Sequence, residues 1–530
     1  MGVAGSTGDW PAVLAIAGVF AAGWLLVGPL ANAPVIDDWV YAWSVERLLQ
    51  TGRLQILDIS AVYPVAQILW GALFAWVLGF SFGALRASTV VLSALGCCAF
   101  YFTLRDVRFS RGVSVLAAVA LALNQVFFAL SFSFMTDAPF VAVSLIALLG
   151  YVRGINRRRA DLLWAGSAAA AAAFLIRPIG IITPIAALAG AIAIRPRWPA
   201  RQWIPPIATV LVAMAVVYMA LQQHMGALEA ATTRGEQLRW WFTIRLTKYA
   251  RWNVELAFVA VLANAPLLLA PVLSRRGAMR AGLVALALGV VLWRSMGAIP
   301  TPLPDWQTWS LQDIGARSMI GGNEPPSAWS RQVQPGLAIL GLITIAGLLL
   351  AAVRTVRQIS PGTIVVLTFG LLQWVVINAL WLYNDRYYLV LAPAIGLLAA
   401  HVVRTRAQRV LAGGCLVVLA GIAVTGTRDM LDVNATAAAA ARALEDTGVP
   451  PWEIDAGWAV NGWRLYAHPE HLRPGADRRE SVPFVTSKEQ TLYKIVSTPR
   501  DGYDVARVIP LAHAWWQATD RLYVLRRRSN

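Results

Sequence analysis

Charge is scarce in this chain. Only 14% of its 530 residues are Asp, Glu, Lys or Arg, against about 25% in an ordinary soluble domain. Acid is scarcer still, with 28 Asp and Glu facing 45 Lys and Arg. Cysteine is nearly missing: Cys97, Cys98 and Cys415 all fall inside apolar runs. That excludes a disulfide framework and a thiolate metal site, and leaves small packing residues. The five histidines show no ligand spacing. There is no phosphate-binding Gly-Lys-Ser/Thr loop, no His-Glu-x-x-His and no dinucleotide fingerprint, which excludes the simplest ATP-driven transporter and metalloprotease readings. The N-terminus carries no basic segment ahead of its first apolar run, so that run reads as an anchor rather than a removed signal.

What the chain has instead is hydrocarbon. Apolar residues make up 58% of it, at a mean hydropathy of +0.58. Runs of roughly twenty apolar residues recur, each long enough to cross about 30 Å of bilayer. They predict a multi-pass α-helical membrane protein, with candidate crossings near 11–30, 62–80, 86–104, 112–130, 138–152, 161–176, 178–194, 204–221, 253–273, 280–298, 335–353, 361–382, 387–402 and 409–426.

The net charge of +17 does not point to nucleic acid. From residue 428 onward 14 basic residues face 13 acidic ones, so the excess lies in the membrane part. There it gathers in short loops: Arg105/Arg108/Arg111, Arg153/Arg157/Arg158/Arg159, Arg195/Arg197/Arg201, Arg275/Arg276/Arg280, Arg354/Arg357 and Arg404/Arg406/Arg409. Short basic loops face the cytoplasm. They alternate with connections bearing Asp137, Glu229, Glu236, Asp305, Asp313, Glu324 and Asp385. The alternation holds throughout if 62–80 lies in the interface instead of crossing, which leaves thirteen spans. Pro64, Gln67, Trp70 and Trp76 suit that interfacial helix. The N-terminus is then cytoplasmic, and the C-terminal tail is outside.

On this plan residues 1–427 form the membrane domain. The outer loops are 31–85, 222–252 and 299–334, and 428–530 forms a small extracytoplasmic α/β domain. Within 222–252, Arg239-Trp240-Trp241-Phe242 with Arg245, Lys248 and Arg251 suits a helix lying on anionic head groups. The tail opens on an Ala-rich helix, and strand-like stretches follow at 491–497, 503–509 and 521–525.

Two adjacent carboxylates, Asp37 and Asp38, stand just after the first apolar run, wrapped by Ile36, Trp39 and Tyr41. They read either as a solvated loop or as a general base whose pKa is raised by its apolar surroundings. Asp137, in Thr136-Asp137-Ala138-Pro139, reads as a helix cap or as a site carboxylate. Arg177 lies at an outer edge where the positive-inside rule does not want it. It either snorkels or pairs with phosphate. Arg86 and Arg386 pose the same choice, and the block Tyr383 to Tyr388 reads also as an aromatic belt with an ion pair.

These residues resemble the polyprenyl-phosphate-sugar-dependent integral-membrane glycosyltransferases of the GT-C fold. That is glycosyltransferase family 39, which includes protein O-mannosyltransferases and the bacterial lipid A aminoarabinose transferases. Asp37-Asp38-Trp39-Val40-Tyr41-Ala42 is similar to the family's Asp-Glu-Pro-Arg-Tyr-Ala signature. Thr51-Gly52, Tyr63-Pro64, Trp70, Leu85-Arg86-Ala87 and Thr136-Asp137-Ala138-Pro139 extend the likeness. Leu175-Ile176-Arg177-Pro178 resembles a Leu-Thr-Lys-Gly segment, and Arg386-Tyr387-Tyr388-Leu389 with Pro393 resembles a later Arg-Tyr-Leu block. The likeness is good over 30–195, sparse to about 400 and absent in the tail. Asp38 replaces Glu, Tyr63 stands where many relatives carry Lys, and Arg177 replaces Lys.

The resemblance implies about thirteen spans, juxtamembrane helices in the first outer loop and often an outer C-terminal domain. It implies that a sugar passes from a polyprenyl phosphate to a hydroxyl of a cell-envelope acceptor (lipid, glycan or protein) with inversion, at a bacterial inner membrane. Asp37 aligns with the catalytic aspartate, Asp38 beside it, and Asp137 with a second active-site aspartate. Tyr41, Tyr63, Arg86, Arg177 and Arg386 would meet the donor phosphate. A divalent cation at Asp37 and Asp38 fits their charge, but nothing in the chain requires one. The rival readings are a transporter or flippase of a lipid-linked sugar, and a structural subunit with a degenerate site. Against the transporter, the sequence has no paired halves with broken helices.

Overall fold

The computed structural model of the chain describes residues 8–194, 198–225, 261, 264–297, 328–356, 358–379, 385–477, 491–511 and 520–528. The helices in chain order are α1 Trp10–Val27, α2 Asp38–Thr51, α3 Val65–Leu78, α4 Phe82–Asp106, α5 Arg111–Ala122, α6 Gln125–Ser131, α7 Asp137–Arg157, α8 Ala160–Phe174, α9 Ile182–Ile194 and α10 Ala200–Met225. After them come α11 Ala265–Leu268, α12 Arg275–Met296, α13 Ala328–Val356, α14 Pro361–Ala379, α15 Ala392–Ala400, α16 Arg406–Asp446 and α17 Trp458–Asn461.

Among the described residues, eight helices are long and apolar enough to cross a membrane. The count becomes nine if α5 and α6, bent by 65° at a short break, form one span. Shorter apolar helices over Ala160–Phe174, Pro178–Ile194 and Arg386–Ala400 continue the alternation. The expected run at 253–273 is described only at 261 and over 264–273, and the outer loops from 226 onward and from 298 to 327 lie outside the described residues.

The helix directions sort the chain into two poles. Asp9 lies 3.2 Å from Arg111, and Asp106 pairs with Arg153 at 2.6 Å and Arg157 at 3.3 Å. The start of α1, the end of α4 and the end of α7 therefore meet among the basic clusters. The opposite pole gathers the end of α1 and the starts of α4 and α7. Both ends of α3 belong to that second pole. The Ala66 amide donates to the Leu175 carbonyl at 3.1 Å, and the Phe82 amide just past α3 donates to Asn32 Oδ1 at 3.0 Å. With 14 residues, α3 is about 21 Å long, and its two ends share one pole. It is a juxtamembrane helix, as the charge alternation requires.

Small residues let the spans approach closely. A Cβ on Gly96 would meet the Ala142 backbone at 2.5 Å, and one on Gly150 would meet Gly166 at 2.6 Å. Such contacts replace the hydrophobic drive that lipid cannot supply. Helix α16 starts with a capping box between Thr405 and Gln408 and runs unbroken for 41 residues, through residue 428. Beyond it lies a four-stranded sheet of β1 Ile454–Asp455, β2 Tyr493–Val496, β3 Tyr503–Pro510 and β4 Arg521–Arg527 in the order β1-β2-β4-β3. Only β1 and β2 are parallel.

The C-terminal unit docks on α2 and the start of α4 through aromatic rings. Trp39 meets Trp458 at 6.1 Å and Tyr466 at 5.9 Å, and Trp463 meets Phe82 at 5.2 Å.

Candidate active site

The site begins with a reversed backbone. Ile36 has φ of 54°, a left-handed conformation that a β-branched residue holds only when its surroundings force it. The forcing groups are adjacent. The Val35 amide donates to Asp38 Oδ1 at 2.8 Å, and the Asp38 amide donates back to the Val35 carbonyl at 3.0 Å. This tight loop turns two consecutive carboxylates to different surroundings.

Asp38 goes inward and is 0% exposed. Burial pushes its carboxyl up to about 7, against the pull of Arg86 and the amides of Val35 and Phe134; the nearby Asp37 adds to the rise. Arg86, 1% exposed, is committed to backbone. It donates to the carbonyls of Pro29 at 3.1 Å, Ala31 at 2.7 Å and Ala33 at 2.5 Å. Arg86 and Asp38 thus form the wall that fixes the loop entering α2.

Asp37 goes outward, with 29% of its side chain exposed. Its Oδ2 lies 3.2 Å from Arg386 Nη2, and its Oδ1 accepts from the Trp458 indole N–H at 2.8 Å. Asp137, the first residue of α7, turns to Arg177, whose Nη2 is 2.8 Å from Asp137 Oδ1. Arg177 Nε also donates to Thr136 Oγ1 at 2.8 Å. Arg177 is therefore held inward, with 11% of its side chain exposed, instead of snorkelling away. Both guanidinium groups lie 5.7 Å from the ring centre of Tyr387. The Tyr41 hydroxyl sits in the field of all four charged groups. Burial pushes it up to about 12; Asp37 and Asp137 act in the same direction, and Arg177 and Arg386 oppose them.

The geometry brings Asp37, Asp137, Tyr41, Arg177 and Arg386 into one cluster. Tyr63 is buried against Tyr218, ring to ring at 6.3 Å. Asp37 and Asp38 engage different partners, the first Arg386 and Trp458 and the second the Val35 amide. Among the described residues no group of three or more His, Cys, Asp or Glu could hold a metal.

Three contributors were missed in the sequence. Gln67 donates to the carbonyls of Phe134 at 2.8 Å and Met135 at 3.3 Å, so α3 braces the segment before Asp137. A lone buried amide in an apolar run was the available signal. Tyr387, in the Arg-Tyr-Tyr block, reads from the sequence only as part of an aromatic belt. Trp458 carried no signal, because its contact spans 421 residues.

Fold and site together define an integral-membrane protein with an acid-and-guanidinium cluster at one pole of its helix bundle. Residues 64–223 match the profile of the family described as dolichyl-phosphate-mannose-protein mannosyltransferase, in agreement with the resemblance drawn from the motifs. No curated protein matches the chain.

Among solved structures, the archaeal oligosaccharyltransferase AglB from Archaeoglobus fulgidus, in complex with an inhibitory peptide and a dolichol-phosphate, is 14% identical. The match covers 81% of this chain and 57% of that one, at a TM-score of 0.44. ArnT from Cupriavidus metallidurans, bound to undecaprenyl phosphate, is 13% identical over 98% of each chain, at 0.41. The S. cerevisiae protein O-mannosyltransferase Pmt1-Pmt2 complex bound to the sugar donor is 15% identical over 42% of this chain and 35% of that one, at 0.35.

Proposed function

We propose that this chain is a glycosyltransferase that moves a sugar from a polyprenyl-phosphate donor to a hydroxyl of a cell-envelope acceptor. The reaction would run on the outer face of a bacterial inner membrane, with the N-terminus cytoplasmic. The membrane part, 1–427, carries the reacting carboxylate, and 428–530 lies on the same outer side. The observation that carries this reading is the juxtaposition of a partly exposed Asp37 with Arg177, Arg386 and Tyr41 at the pole opposite the basic clusters.

The chemistry follows from those groups. The acceptor hydroxyl attacks the anomeric carbon as Asp37 takes its proton. The bond from the anomeric carbon to the phosphate oxygen breaks, and the electron pair leaves with the lipid phosphate. Arg386 and Arg177 offset the negative charge gathering there. Attack from the face opposite the leaving group inverts the anomeric centre. Asp137 and Thr136 hold Arg177 in place, while Asp38 and Arg86 hold the loop that carries Asp37. A carrier anchored in the bilayer presents its phosphate at the interface, where this pole lies, so no nucleotide-binding fold is needed.

The test separates this reading from a transporter or flippase. Purified protein in vesicles without an ion gradient is given labelled polyprenyl-phosphate sugar and a cell-envelope extract. Formation of a new labelled glycoside with release of the polyprenyl phosphate supports transfer. Movement of intact donor across the bilayer without such release contradicts it.

A further inference from the structure

We propose that Trp458 is a positioning residue for the reaction, so that the C-terminal unit completes the active site. The inference rests on the reading of Asp37 as the base. Asp37 lies in the connection after the first span, and Trp458 lies beyond the last. The indole N–H of Trp458 meets Asp37 Oδ1 at 2.8 Å, while Arg386 meets Oδ2 at 3.2 Å. One donor alone leaves a carboxylate free to rotate about its Cβ–Cγ bond. Two donors on different oxygens, from separate parts of the fold, fix the plane of the group. Each oxygen keeps a second lone pair, so the acceptor hydroxyl can still be received.

The indole is itself held. Trp39, the residue after Asp38, contacts the Trp458 ring edge-on at 6.1 Å. Gly462 closes on the same Trp39: a Cβ there would meet the indole at 2.3 Å. Tyr466 adds a second edge contact at 5.9 Å and donates its hydroxyl to Asp58 Oδ1 at 3.2 Å. The segment Gly462–Tyr466 is a π-helical turn, a form often met at functional positions. Trp458 thus reaches Asp37 from a docked aromatic face.

Trp458→Phe keeps the ring and removes the N–H. Misaiming a reacting group by about 1 Å costs on the order of 10²-fold. The full-length variant should therefore lose about 10–100-fold in kcat with little change in donor KM, the signature of a contact that matters in the transition state. Tyr503→Phe, which removes the hydroxyl bond to the Thr491 carbonyl in the sheet of the same C-terminal unit, is the control. It should lower the melting temperature slightly and leave kcat near wild type. Wild-type kcat in Trp458→Phe overturns the proposal, and so does an equal kcat loss in both variants with equal loss of melting temperature. If Asp37→Asn transfers sugar normally, the base assignment itself falls. If Asp37→Asn is dead and Trp458→Phe is normal, only the positioning role falls.

Discussion

Asp37 and Asp38 are neighbours in sequence but not in environment: the first keeps 29% of its side chain open and the second keeps none. A left-handed Ile36 and the reciprocal bonds between Val35 and Asp38 make the division. On the proposed reading the pair is a base beside a structural pin, and the two roles are separable by mutation.

The pin has a pH signature. Folding raises the Asp38 carboxyl from 3.8 to about 7, so the folded state holds that proton more tightly than the unfolded chain. Its stabilising contribution is complete below about 3.8 and is lost as pH rises through about 7. Asp38→Asn mimics the protonated form. Its melting temperature should match wild type near pH 4, gain on it up to about pH 7 and hold a constant lead above that. A pH-independent difference in thermal melts between pH 4 and 8 would contradict this.

Arg86 should matter for stability first. Arg86→Ala leaves the carbonyls of Pro29, Ala31 and Ala33 without their donor, at a cost of about 1–3 kcal/mol for each buried group left unsatisfied. The expected result is a large drop in melting temperature and early proteolysis of the loop at 29–33. Intact stability with weakened donor binding would instead make Arg86 a phosphate ligand.

Arg177 is different, because it is held by Thr136 and Asp137 yet stays beside the open carboxylate. Arg177→Lys keeps the charge and loses the two-point hold. Donor KM should rise about tenfold, a loss near 1.4 kcal/mol, with the fold intact by thermal melt. An unchanged KM would remove Arg177 from donor binding.

Much of the fold was legible because apolar length and basic-loop alternation are coarse signals that tertiary context does not erase. They gave the helical membrane class and the juxtamembrane character of 65–78. Strand patterning is equally local: the stretches expected at 491–497, 503–509 and 521–525 form strands at 493–496, 503–510 and 521–527. The candidate site was legible in residue types but not in their division of labour. Arg86 and Arg177 looked alike as isolated guanidinium groups at helix ends. Only the fold gives one to backbone carbonyls and the other to Asp137. Trp458 was illegible in principle: nothing local to residue 458 records that it will meet residue 37.

The central claim is that Asp37 takes the acceptor proton, and replacing its carboxylate by an isosteric amide tests it most directly. Membranes holding Asp37→Asn at wild-type level, supplied with labelled polyprenyl-phosphate sugar, should transfer about 10²–10⁴-fold more slowly with melting temperature preserved. Transfer at the wild-type rate would contradict the account.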